Sequence, residues 1–529
     1  MAISWRCSRT TEAITSRTER WDQARLIDRL WECDPTVWSR EPVPEIEDRL
    51  GWLTLPATSR DLVGTIEELH DAAVAAGITH IVLLGMGGSS LAPEVFASSL
   101  PHADIDPLLV VLDSTHPDAV AAVQAGTDPH TTWYVVASKS GTTLETMSFF
   151  HWFWAVADGA LDAPGEHFIA ITDPGTPLDT IASQRSFRAT ISADPTVGGR
   201  YSALTAFGLV PAGLTGANLT ALLDAAADAA AMCGPHVALD ENPAFVLGAL
   251  LGTEALSGND KAHIVASEPV SALPIWTEQL IAESTGKDGK GIVPVDGGPN
   301  PSRATDGIVV GIGGEPIEGT DFMLTVADAD DIAAAMFVLE LATAIAGEIL
   351  GIHPFNQPDV QIAKKLAASA MAGELEKPAV PPIAVSSEGL DAALSELFAE
   401  PNPSYVSIHA YLAPTPETDR HLDAIRNVVD RTAGVYTTAG YGPRFLHSTG
   451  QVHKGGPAGG LFLQIIDTPS AVLPVPGSAF SFNELIAAQA EGDLAALASK
   501  GRNALSVDLG SGSAQGFDLL LIAIDDALS

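Results

Sequence analysis

The sequence predicts an α/β protein: two doubly wound units on mostly parallel sheets, followed by a smaller C-terminal α/β unit. Three observations carry that expectation. Runs such as Ile81-Val82-Leu83-Leu84 and Leu108-Leu109-Val110-Val111-Leu112 are continuously apolar and not alternating, as strands buried on both faces by helices require. Segments of helical period separate these runs. Loops rich in glycine, serine and threonine fall where the strands end, the place at which doubly wound sheets bind ligands. At 529 residues the chain exceeds one ordinary core, so two or three domains are expected.

In chain order, residues 1–60 mix Arg, Glu and Trp at roughly helical spacing, with Trp21, Leu26, Ile27, Leu30 and Trp31 as apolar members. They are expected to be a helical segment packed on the body that follows. Residues 61–215 form the first unit, with strands at 81–84, 108–112, 134–136 and 168–171. Residues 216–376 form the second, with helices at 221–232, 243–256 and 331–350 and strands at 263–266, 308–310 and 323–326. Lys377-Pro378-Ala379-Val380-Pro381-Pro382 reads as a linker. The third unit, 377–529, should carry strands at 405–408, 434–438, 461–466 and 519–522. No short-period repeat is visible.

Composition narrows the function. With 46% apolar and 18% charged residues the chain can bury sizeable cores. A formal net charge of −39 disfavours non-specific binding to nucleic acid or to an anionic membrane, since like charges would meet. An anionic substrate would then need a local positive site. Only nine Lys are present, and Lys139, Lys287, Lys364 and Lys454 fall inside the clusters below. Cys7, Cys33 and Cys233 have neither metal-ligand spacing nor an even-numbered framework, which fits a reducing cytoplasm. The N-terminus lacks the apolar core of a signal peptide. Glu340 and Glu348 interrupt the most apolar helix, which therefore reads as protein core.

Five clusters carry chemistry. Ser138-Lys139-Ser140-Gly141-Thr142-Thr143-Leu144-Glu145-Thr146 stands between a strand and a helix, where hydroxyls meet free N–H groups and a positive helix end. That makes a phosphate cradle, although Ser and Thr also cap ordinary helices. Gly85-Met86-Gly87-Gly88-Ser89-Ser90 lets a backbone approach an anion. A nicotinamide site competes here, with Asp113 as its ribose acid, but Ser90 stands where the third glycine would fall. In Gly198-Gly199-Arg200-Tyr201-Ser202 a guanidinium opening a helix could stabilise an oxyanion. In Gln279-Leu280-Ile281-Ala282-Glu283-Ser284-Thr285-Gly286-Lys287 the carboxylate of Glu283 could abstract a proton, or simply pair with Lys287. Lys364 follows Gln357 by about two helical turns and could share its face. Finally, His447 and His453 lie in Tyr441–Pro457, where acid–base work suits them better than zinc.

Together these clusters resemble the phosphoglucose isomerase family, whose members are built from two sugar-isomerase (SIS) domains. GMGGSS and SKSGTTLET are similar to its phosphate-binding elements, VGGRYSALTAFG to its most distinctive signature, AESTGK to its catalytic loop, and HPFNQPDVQIAK to its Gln-to-Lys helix start. The likeness covers about residues 60 to 370. It implies Ser138, Ser140, Thr143 and the Lys139 backbone on the phosphate, and Gly88 and Ser89 against the sugar. Arg200 would face the reacting carbons, Glu283 would be the base, and Gln357 and Lys364 would sit near the ring oxygen. No metal or redox cofactor is implied, and the small-molecule partner is a sugar phosphate.

One departure concerns the ring-opening His, which the family usually places between the Glu loop and the Lys helix. Only His353 lies there, at the position of an Asn in the family's turn, and it is a poor candidate. The matching string LHSTGQ comes later, with His447 at the corresponding place. That order, the long C-terminal extension and the Trp-rich start resemble the isomerase half of transaldolase–phosphoglucose isomerase fusions; residues before 60 are too few for a catalytic barrel. The expectation is a cytoplasmic glucose-6-phosphate isomerase that could form a homodimer, with His447 supplied in cis or across a subunit interface. The alternatives are a non-catalytic SIS-type phosphosugar sensor and an isomerase that also accepts mannose 6-phosphate.

Overall fold

The computed structural model describes residues 3–297, 304–372, 374, 381–400, 403–511 and 513–528. The strands, in chain order, are β1 (Ile3–Cys7), β2 (His80–Leu84), β3 (Leu108–Leu112), β4 (Thr132–Ala137), β5 (Phe168–Thr172), β6 (Ala189–Ser192), β7 (Lys261–Ala266), β8 (Val293–Asp296), β9 (Gly307–Gly313), β10 (Phe322–Val326), β11 (Ile383–Ala384), β12 (Tyr405–Tyr411), β13 (Thr437–Tyr441), β14 (Gly460–Ile466) and β15 (Asn503–Asp508). They form three five-stranded sheets, ordered β3-β2-β4-β5-β6, β8-β7-β9-β10-β1 and β13-β12-β14-β15-β11.

Numbered within its own unit, each sheet runs 2-1-3-4. All neighbours pair in parallel except β1, which closes the second sheet antiparallel to β10 with Ile3 opposite Val326. The fifth position differs each time. In the first sheet it is the next strand, β6; in the second it is the start of the chain; in the third it is β11, which precedes the rest of its unit. Continuous apolar runs become central strands because both faces are covered: every residue of β4 and of β12 is buried. The order reverses between the first and third strand of each unit, and a ligand crevice opens beyond the carboxyl ends of the strands there.

The first two units share one continuous core, running from Ile81 and Leu83 through Leu209 and Leu250 to Leu324 and Ile345. The long helix Ile332–Leu350 is buried along its whole length, which explains its hydropathy. The third unit has its own core around Val406, Leu463 and Ile524. It also docks on the first: Phe482 of the helix Phe482–Ser499 stacks on Phe149, with centroids 6.0 Å apart. The same helix runs so close to Pro358–Met371 that a Cβ on Gly492 would meet the backbone of Ala367.

Four expectations need correcting. The N-terminal segment opens with β1, whose burial alternates residue by residue as an edge strand's should; its helices, Glu12–Gln23 and Leu26–Trp31, follow. The strand placed at 434–438 begins at Thr437, because Gly434 in a left-handed conformation (φ 67°) first terminates the helix Pro416–Ala433. Residues 519–522 are not a strand. They lie in the helix Ser513–Leu528, which buries Phe517, Leu520 and Ile524 at helical spacing while Leu519 and Ile522 face out. The last strand is the preceding β15. The strands β6, β8 and β11 were also missing from the expectation; they are only four, four and two residues long, too short to show a period. Lys377 to Val380 of the linker lie outside the described residues.

Candidate active site

A cavity of about 400 Å³ opens at the reversal point of the first sheet, where the loops after β2 and β4 diverge. It brings together every residue the sequence singled out for the site: Gly88 and Ser89 after β2, Ser138, Lys139, Ser140 and Thr143 after β4, Arg200 beyond β6, Glu283 from the helix Leu273–Thr285, Gln357 and Lys364 at and within the helix Pro358–Met371, and His447 from the turn after β13.

The cradle end is rich in hydroxyls with few partners. Ser138 Oγ and Thr143 Oγ1 lie 3.0 Å apart, as do Ser140 Oγ and Thr142 Oγ1 at 2.9 Å. Thr143 stands at the N-cap of Leu144–Ala160, yet its side chain caps no N–H. These hydroxyls are therefore not consumed as ordinary helix caps, and the helix N-terminus remains open to an anion. Gly141 turns the loop at φ 65°. The Lys139 ammonium points aside, to Asp173 Oδ1 and the Asp194 carbonyl at 2.9 Å each. Opposite, Gly88 has no room for a Cβ, which would overlap the carbonyl of Gly199. The glycine cluster thus serves packing of loop on loop as well as access.

The reacting end is buried and braced. Arg200 Nε donates to Ser284 Oγ at 2.8 Å, Nη2 to the carbonyls of Pro354 and Asn356 at 2.6 and 3.2 Å, and Nη1 to Gln357 Oε1 at 3.1 Å. Nη1 also lies 3.3 Å from Glu283 Oε1. A guanidinium with its donors so distributed is held in one orientation at no further reorganisation cost. Glu283 does not pair with Lys287, whose ammonium donates instead to the carbonyls of Ser284 and His353 at 3.0 and 2.5 Å. Its second oxygen accepts from Gln279 Nε2 at 3.1 Å, and the same amide reaches the His447 carbonyl at 2.7 Å. Gln279 therefore ties the carboxylate to the loop that brings His447.

His447 Nε2 lies 3.0 Å from Glu145 Oε1, both nearly buried. Burial opposes ionisation of Glu145, but the charge and hydrogen bond of His447, with Lys364 nearby, hold its carboxyl down at about 2. His353 takes no part: it sits between the Pro44 carbonyl and the Phe355 N–H, and burial lowers it to about 4. Lys454 pairs with Asp493 inside the third unit. Ser90 donates to Asp113 at 3.0 Å, and Asp113 faces Arg444 at 3.4 Å, so this acid is already engaged and a ribose hydroxyl would have to displace it. Among the described residues no cluster of His, Cys, Asp and Glu is placed to hold a metal ion.

Sequence reasoning passed over Gln279, Glu145, Glu45 and Arg49, which contact these groups or line the cavity. Gln279 could have been found, because it precedes Glu283 by four residues and so shares its helix face. Glu145 stood in the cradle motif as a first-turn acid. Glu45 and Arg49 carry no local signal; their segment reaches the cavity only because it folds against the loop 194–196.

The doubly wound scaffold thus sets an open hydroxyl cradle against a buried Arg–Glu pair across one cavity. Residues 59–315 match the model of phosphoglucose isomerase. It is 29% identical over 398 residues to a glucose-6-phosphate isomerase of Rubrobacter xylanophilus, covering 62% of this chain and 90% of that one. It is 32% identical over 246 residues to one of Thermus thermophilus, covering 45% and 56%. Among solved structures, a hypothetical protein from Thermus thermophilus superposes with a TM-score of 0.60 at 23% identity, over 70% of this chain and all of that one. A glucose-6-phosphate isomerase from Chlamydia trachomatis gives 0.56 at 19%, over 70% and 88%. The family match ends before Gln357, Lys364 and His447, so their place in the site rests on the geometry above.

Proposed function

We propose that this chain interconverts D-glucose 6-phosphate and D-fructose 6-phosphate through a cis-enediolate. The observation that carries this reading is the Arg200–Glu283 pair facing the Ser138–Thr143 cradle across one cavity. Phosphate held at the cradle anchors the unreactive end and so helps align C1 and C2 with the side chains that act on them. Ring opening breaks C1–O5 and forms the C1 carbonyl as the O1 proton leaves and O5 is protonated, with His447 and Lys364 as the proton carriers. Glu283 then removes the C2 proton, Arg200 stabilises the negative oxygen while the hydroxyl proton passes from O2 to O1, and Glu283 returns its proton to C1, leaving the C2 carbonyl. One carboxylate serves both transfers, and no step calls for a metal or redox cofactor.

A coupled assay with fructose 6-phosphate in excess EDTA tests substrate and metal independence together. Turnover of micromolar-to-millimolar substrate is expected; tight sugar-phosphate binding without turnover would instead favour the sensor. We further propose a cytoplasmic enzyme, in keeping with the free thiols of Cys7, Cys33 and Cys233, acting on a small sugar phosphate and not on nucleic acid or membrane. It could form a homodimer, but with His447 contributed in cis. Mixed Glu283→Gln and His447→Ala chains should therefore recover no activity; recovery would place the His across a subunit interface.

A further inference from the structure

The third unit reaches the site twice. One contact is His447 itself. The other is Gln489, on the helix Phe482–Ser499, whose Nε2 donates to Glu145 Oε1 at 2.8 Å. The same oxygen lies 3.0 Å from His447 Nε2. Gln489 Oε1 in turn accepts from Thr115 Oγ1 at 2.6 Å, and Tyr411 OH donates to the Gln489 carbonyl at 3.3 Å. Thr115 is fully buried, and Gln489 and Glu145 are 4% and 6% exposed. The amide can sit only one way round: flipped, it would set its oxygen against the carboxylate of Glu145 and leave two acceptors facing each other without a proton.

We propose that Gln489 is a positioning residue for proton transfer by His447. Resting on the isomerase reading above, the inference extends it to the extension: the third unit, besides supplying the His, fixes the acid that orients it. Glu145 projects from the first turn of its helix, and beside His447 the donor that holds its Oε1 is Gln489, from outside the first unit. With Oε1 held, the Nε2–H of His447 is committed to Glu145. The other ring nitrogen, which has no protein hydrogen bond among the described residues, is left for the substrate. Without the amide, Glu145 can swing, and the imidazole loses its fixed orientation and tautomer.

Gln489→Met keeps the volume and removes the donor. In that variant kcat for glucose 6-phosphate should fall about tenfold or more, as expected for a lost hydrogen bond to a charged group, while the thermal midpoint stays within a few degrees. Histidine-selective NMR of the full-length chain gives a second readout that does not depend on turnover. The His447 ring nitrogen shifts, which report the tautomer, should move from those of a single Nε2–H form towards a mixture of the two tautomers. Thr115→Val should give the same pattern more weakly, and Thr115→Val combined with Gln489→Met should be no worse than Gln489→Met alone. A fall in kcat with unchanged His447 ring nitrogen shifts would reduce Gln489 to a packing residue, and changed shifts with full kcat would remove it from catalysis. Additive effects of the two substitutions would break the link through Thr115. Wild-type protein lacking isomerase activity would instead remove the functional reading, while the NMR comparison could still be made.

Discussion

The two ends of the cavity are built on opposite plans. At the cradle, side chains from one loop of one unit pair chiefly with each other, and Ser140 and Thr142 are exposed. At the reacting end, Arg200 is 2% exposed and is tied to the helix Leu273–Thr285 and the 354–357 turn, while Gln279 joins Glu283 to the loop of His447. The difference follows from what each end must do. A phosphate dianion brings its own charge and several acceptor lone pairs, so it can organise loose donors as it binds. A developing enediolate exists only in passing, and groups that meet it must already be in place.

That contrast is sharpest in the kinetics of variants. Glu283→Gln should lower kcat by about a thousandfold, within the range for a general base, with sugar-phosphate binding retained in a thermal-shift titration; near-normal turnover would overturn the assignment of the base. Arg200→Met should lower kcat by about a hundredfold, and a change confined to KM would make Arg200 a binding residue. The cradle should respond the other way. Ser138→Ala with Thr143→Val should raise KM about tenfold and leave kcat within about threefold, since neutral hydroxyls give modest individual bonds. If kcat collapsed instead, the two ends would not be separable in function.

The smallest effect concerns pH. His353 is lowered to about 4 by burial, with Lys287 and Arg200 adding to the shift against a bond to the Pro44 carbonyl. Its folded state therefore refuses a proton that the unfolded state accepts below about 6.5. Stability is lost as pH falls from that value towards 4, so His353→Asn should flatten the denaturation midpoint across that interval. Glu145 acts in a lower window. Its folded carboxyl is held at about 2, so the stability it contributes is present above the ordinary carboxylate range and is lost as pH falls from about 4.5 through 2.

Much of this was legible in the chain itself. Continuous apolar runs fixed the central strands, since a strand covered on both faces needs no polar residue. Local motifs also named both ends of the cavity, because Ser138–Thr143, Gly198–Arg200 and Gln279–Glu283 each combine a turn with its functional side chain over a few residues. Shortness hid β6 and β8, but other misreadings share a source in long-range pairing. β1, β11 and the helix Ser513–Leu528 take their character from partners distant in sequence, and 519–522 is as apolar as a strand until its buried face is known.

What the sequence determined alone is therefore whatever a short segment can encode: strand burial, the hydroxyl loop, and the Glu283 and Arg200 side chains that meet it across the cavity. What only the tertiary structure decided is how segments far apart meet. His447 stands 302 residues from Glu145, and Gln489 344 residues from it, distances at which no spacing rule operates. They meet because three sheets of one strand order dock so that the turn after β13 enters the first sheet's crevice. The physical reason is that a hydrogen bond between distant residues depends on the packing of whole units, and that packing leaves no periodic trace in either segment.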